Sequence, residues 1–140
     1  MSLEKYEAAL LYNERSFEIN IKIYGADDLN VANNYYLSAQ IYMKILKIED
    51  ATAAIEKSNE IIDRKDDKNP LLFGWYRFLK SKIYKLKHDN RTALKSIDDA
   101  LSMIKGNEDL RIDEDQMTDF RFQLIFSISD EEAKEFGINV

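Results

Sequence analysis

Cysteine is absent from the sequence, which excludes disulfides, thiolate metal sites and cysteine nucleophiles and fits a reducing compartment. Proline occurs once and glycine four times. So few breakpoints favour long helices over many short strands, and the fold class expected is all-α. The single histidine, His88, leaves no metal-spaced histidine cluster. It lies beside an expected turn, where an exposed linker residue is the simplest reading. Neither a Gly-rich phosphate loop nor a Gly-x-Ser-x-Gly nucleophile turn is found. Long apolar runs are missing as well. Nothing approaches the ~20 residues of a membrane span, and no apolar N-terminal run follows a basic segment. The chain is therefore expected to be soluble and cytoplasmic, without metal or cofactor, and not an enzyme.

What is present is core-forming material. Hydrophobic residues make up 45% and charged residues 33% of 140 positions, with eight Tyr and seven Phe. That composition suits one domain over residues 1–140 and is too apolar for a disordered chain. The net charge of −6 is unevenly spread. From Gly106 onward ten acidic residues face only Arg111, Arg121 and Lys134, a balance of −7 that leaves about +1 for everything before. An acidic chain lacks the basic footprint of nucleic-acid binding, so neither nucleic acid nor membrane is an expected partner.

The apolar spacing predicts helices over Leu3–Tyr24, Asn30–Leu46, Glu49–Arg64, Pro70–Leu86, Asn90–Lys105 and Glu114–Ile128. Gly25 stops the first, and Asp27-Asp28 stand as cap-like residues before the second. Pro70 suits the first turn of the fourth, where its missing N–H costs nothing. The segment Ser129–Phe136, "SDEEAKEF", reads as a capped closing turn or two.

A step of 42 residues brings similar residues into line: Ala9, Ala51 and Ala93; Ser16, Ser58 and Ala100; Ile19, Ile61 and Met103. Tyr42, Tyr84 and Phe126 follow it, as do Tyr36, Phe78 and Phe120 and the acids Glu14, Glu56 and Asp98. Small residues recur where helices approach closely, and large apolar ones where the gap is filled. A fixed period of this size with two helices per unit marks a helical solenoid.

The residues also carry a family likeness. "YEAALLYNERSFEINIKIYGADDLNVA" (Tyr6 to Ala32) resembles the second helix and linker of a kinesin-light-chain-type tetratricopeptide repeat. "NNYYLSAQIYMKILKIEDATAAIEKSNEI" (Asn33 to Ile61) resembles the next full repeat, with its small positions at Ala39, Ala51 and Ser58. The standard repeat is about 34 residues; the longer step matches the extended-loop variety. The resemblance implies a right-handed superhelical solenoid of helical hairpins. Its parts are a second helix at about 5–24, full repeats at 30–64 and 70–105, and a partial repeat with a C-terminal cap at 113–140. Several positions depart from the pattern. The usual linker histidine-proline is Asp28-Leu29 and then Pro70-Leu71, and the asparagine of the first helix is Leu37 and then Leu79. Arg77 and Lys80 stand where apolar or small residues are expected, which requires a rotated helix or snorkelling stems.

The resemblance places one face of each unit's first helix on a concave surface, and function follows as protein–protein interaction. Asn33, Tyr36, Gln40, Met43, Phe78, Lys82, Lys85 and Phe120 are then the expected peptide-binding residues, with Leu124 beside them. Aromatic and Met side chains give adaptable apolar anchorage, and lysines meet acidic groups. The plainer reading makes these aromatics core. A basic cluster of Lys80, Lys82, Lys85, Lys87, His88, Arg91 and Lys95 reads either as an acidic-peptide or phosphate site or, preferably, as a solvated face balanced by the acidic tail. Two alternative functions remain. The unpaired first helix offers an apolar side for self-association as a homo-oligomer, and the chain also resembles the repeats of peptide-sensing regulators. The tail Ser129–Val140 is expected to cap the last repeat rather than fill the groove.

Overall fold

The computed structural model describes residues 2–138, and among them every regular element is helical. The order is α1 (Leu3–Tyr24), α2 (Leu29–Lys44), α3 (Ile48–Asp63), α4 (Pro70–Leu86), α5 (Asn90–Ile104), α6 (Arg111–Ser127) and α7 (Asp130–Glu135). A short 3-10 turn, Glu108–Leu110, leads into α6, which consequently starts three residues before the position expected from sequence. The last two residues of the expected C-terminal cap, 139–140, lie outside the described residues. The chain divides into two compact units, one ending at Asn69 and one beginning at Pro70.

In the first unit α2 packs on both α1 and α3. The two aspartates of the α1–α2 linker have separate jobs. The Asp28 carboxylate accepts from the Asn30 backbone N–H at 2.7 Å and caps α2. The Asp27 carboxylate meets the Arg64 guanidinium at 2.5 Å, tying the linker to the end of α3. Val31, Ala39, Ala51, Ile55 and Ile62 are among its buried apolar residues. Only Asn13 of α1 is buried, so α1 lies on this unit rather than within it.

In the second unit α4 packs on α5 and α5 on α6. Phe78, Leu94, Ile97, Ile104, Met117 and Leu124 form its core, with Trp75, Phe120, Phe136 and Ile138 packed around them. Ala133 of α7 is buried, so the C-terminal turn folds back onto this core and covers it. The Trp75 indole N–H donates to the Asp113 carboxylate at 2.9 Å, which gives one acid of the tail a specific structural role. Arg77 is accommodated by two contacts. Its guanidinium sits 4.7 Å from the Phe73 ring centroid and 3.6 Å from the Asp99 carboxylate, so burial of the stem is compensated.

The 42-residue step is present in the backbone itself. Leu46 after α2 and His88 after α4 both adopt the left-handed conformation, with φ of 60° and 62°. Leu46 N–H donates to the Met43 carbonyl and Lys47 N–H to that of Tyr42, at 3.1 and 2.9 Å. His88 and Asp89 repeat both bonds to Lys85 and Tyr84, each at 3.0 Å. The α2–α3 and α4–α5 hairpins therefore share one helix-ending motif. Their small positions agree as well: Ala51, Ala93, Ser58 and Ala100 are fully enclosed. The step fades at the two ends, where Ile19 and Phe126 are 56% and 86% exposed.

A side chain in the left-handed region is strained by roughly 1 kcal/mol or more relative to glycine. Leu46 is 72% exposed and packs little in return. Leu46→Gly is therefore expected to raise stability by about 0.5–1 kcal/mol, measured as the urea midpoint at unchanged slope.

Candidate functional site

On α2 the stripe Asn33, Tyr36, Gln40 and Met43 follows helical spacing and faces roughly opposite to Tyr35, Ser38 and Tyr42. Asn33 is exposed and the other three are half-buried. The Gln40 amide N–H₂ donates to the Tyr36 hydroxyl at 3.4 Å, holding two of the three polar groups together. Burial raises the Tyr36 phenol above its ordinary value, so the hydroxyl is neutral and able both to donate and to accept at neutral pH. These four residues form one surface of the first unit.

The remaining predicted residues sit in the second unit and behave differently. Phe78 is 4% exposed and belongs to the core, as the plainer reading had it. Its ring meets Phe120 edge-on at 5.2 Å and stacks with Trp75 at 5.4 Å. Lys82 lies over the Phe78 ring at 4.1 Å and Lys85 over Phe120 at 5.5 Å. Five of the seven residues of the basic cluster, all but His88 and Lys95, are laid against aromatic rings. Lys80 and Lys87 stand 5.8 and 5.0 Å from the Tyr84 centroid, and Arg91 lies 4.8 Å from that of Phe136. Within about 6 Å such pairs are attractive, by roughly 0.5–1 kcal/mol at exposed sites. Lys95 pairs instead with Asp99 at 3.6 Å. The solvated-face reading thus gives way in part to a cation-on-aromatic surface. Leu124, placed beside the groove residues by the repeat pattern, is fully buried.

No protein-family model, curated protein or solved structure matches the chain. The geometry of its own residues therefore carries the functional reading. Among the described residues no group of three or more His, Cys, Asp or Glu is arranged to hold a metal, and no helix is long and apolar enough to cross a membrane. His88 is exposed at its left-handed turn position.

Sequence periodicity missed a polar seam between α1 and α2. Asn13 Nδ2 donates to the Asn34 carbonyl at 2.7 Å and to the Ser38 hydroxyl at 2.6 Å. Asn34 Nδ2 donates to Asn13 Oδ1 at 2.8 Å, and Asn20 Nδ2 donates to Asn34 Oδ1 at 2.7 Å. Asn13 and Asn20 are seven residues apart, on the same side of α1 as Leu10 and Phe17. That spacing was the available signal, and the larger apolar residues beside it obscured it. Asn33, Asn30, Leu37 and Ile41 extend the seam into an open hollow of about 640 Å³.

Proposed function

We propose that the chain is a tetratricopeptide-like interaction module that binds a short segment of a protein partner and carries out no chemistry of its own. It would act in the cytoplasm, without cofactor, metal or nucleic acid. The observation that carries this reading is the α2 stripe, where Asn33, Gln40 and Tyr36 offer donors and acceptors beside the adaptable Met43 side chain. Amides answer the backbone groups of an extended peptide, while a phenol ring and a thioether supply apolar contact. The repeated helix-ending motif of the two hairpins supports the repeat reading. Lys82, Lys85 and Phe120 would supply a charged and aromatic surface in the second unit, with Phe78 supporting them from beneath.

The test replaces Tyr36 and Met43 together by alanine and compares capture of partners from lysate with the parent. Circular dichroism verifies that the variant is folded. The expected result is a partner held by the parent and lost by the folded variant. Equal capture by both would remove the α2 stripe from the binding surface.

One observation favours a second reading, self-association. Tyr12, Ile19 and Ile23 of α1 lie along one stripe and are 71%, 56% and 65% exposed. A second copy covering this stripe would make a homodimer that Ile19→Glu with Ile23→Glu dissociates. A sedimenting monomer at high concentration rules it out.

A further inference from the structure

Helices α1 and α3 both pack on α2, and between them the first unit leaves a cleft of about 360 Å³. Its position is independent of the α2 stripe, because Tyr35, Ser38 and Tyr42 line it from the other side of that helix. Three rings form its interior. Phe17 and Tyr35 meet edge-on at 5.0 Å, and Tyr42 stands one helical turn beyond Ser38. Ala53 and Ala54 present only methyl groups from α3, which keeps the space open. Three half-buried aromatic residues around a hollow that no side chain fills are themselves an observation needing an account.

The rim supplies the chemistry. Glu14 of α1 and Asp50 of α3 both line the cleft, and neither has an ion-pair partner among the described residues. The one basic group at the rim, Lys57, is directed to Glu60, with 3.7 Å between Nζ and the carboxylate. The Tyr42 phenol is raised above its ordinary value, first by burial and then by the Asp50 and Glu14 charges. Both carboxylates therefore act on the mouth of the aromatic hollow. Aromatic faces and carboxylates share one preferred guest, a cation with a flat, weakly hydrated surface.

We propose that the α1–α2–α3 cleft is a receptor for an arginine side chain presented by a peptide partner, with the guanidinium against Phe17, Tyr35 and Tyr42 and its N–H groups donating to Glu14 and Asp50. Arginine fits better than lysine because its planar fork both stacks on rings and bonds carboxylates in pairs. The site stands whether or not the α2 stripe binds anything. Two carboxylates without partners favour a cationic occupant over a purely apolar one, which would leave them beside a desolvated surface at a cost.

The experiment is an NMR titration of the whole chain with two capped tripeptides, Ala-Arg-Ala and its neutral isostere Ala-citrulline-Ala. The expected result is saturable shifts at Phe17, Tyr35 and Tyr42 with the arginine peptide, and binding at least about tenfold weaker with citrulline. Glu14→Gln with Asp50→Asn keeps side-chain size at exposed positions and is expected to weaken arginine binding about tenfold, with circular dichroism unchanged. Equal affinity for citrulline, unchanged affinity of the double variant, or no shift at the three rings each overturns the proposal. Failure here would leave a positive Tyr36/Met43 result intact, and the reverse holds as well.

Discussion

Gly74→Leu is expected to lower the stability of the second unit by about 2–3 kcal/mol, more than any surface change discussed above. Gly74 is buried on α4, and a Cβ placed there would stand 3.0 Å from Ile104 Cγ2 and 3.4 Å from Met117 Cε. Ile104 and Met117 are themselves fully buried, so they have no solvent side into which to retreat. A single methyl group would recover up to about 1 kcal/mol of helix propensity against that contact, and Gly74→Ala is expected to be nearly neutral. The three further carbons of leucine add bulk to a contact that is already tight at Cβ. Thermal unfolding should register the loss as a fall in Tm of about 5–10 °C. An unchanged Tm for the leucine variant would mean that the seam between α4 and its neighbours is looser than its distances imply. Gly74 was not singled out by periodicity, because a glycine inside a helical pattern signals close approach without saying to what.

The second large effect is expected in the first unit, where Asn34→Ala should cost about 2–3 kcal/mol. Asn34 donates to Asn13 Oδ1 and to the Ser16 hydroxyl, and accepts from Asn20, at 2.8, 3.2 and 2.7 Å. Removing its side chain leaves the buried Asn13 oxygen without a donor, and that orphaned group is the larger part of the penalty. The cost should shrink if Asn13 is replaced in the same chain. A double-mutant cycle with Asn13→Ala is expected to show a coupling of about 1 kcal/mol or more, since the two amides serve one another. Additive losses would instead show that each amide acts through separate partners. A seam of amides also fixes the register of α1 on α2 more sharply than apolar contacts do, because a shift of one turn would leave several polar groups unpaired. Asn33 and Glu14, on different sides of this seam, keep their places only while α1 stays in register.

That Asn33, Tyr36, Gln40 and Met43 share one side of α2 was legible, because one helix and its period suffice to place them together. Phe78 was not separable from them by sequence. Both Tyr36 and Phe78 are aromatic residues at the same step of the repeat, and only the packing of α5 and α6 encloses the second. The lysines of α4 read as a charge cluster because the rings beneath Lys80, Lys82 and Lys85 include neighbours from both nearby and distant positions.

The sequence alone determined the local properties of this protein. Helix spans, the caps at Asp28 and Ser129, and the 42-residue step follow from backbone propensity, capping chemistry and side-chain period, all of which act within a few residues or repeat along the chain. The tertiary structure decided what depends on residues far apart. It joined Asn13 to Asn34, set Trp75 against Asp113, closed Phe78 into a core and left the aromatic cleft open between α1 and α3. The physical reason is that burial and hydrogen-bond satisfaction are properties of a pair or a group. The same asparagine is a solvated surface residue at Asn33 and a buried structural one at Asn34, and the difference is made entirely by which side of α2 meets α1.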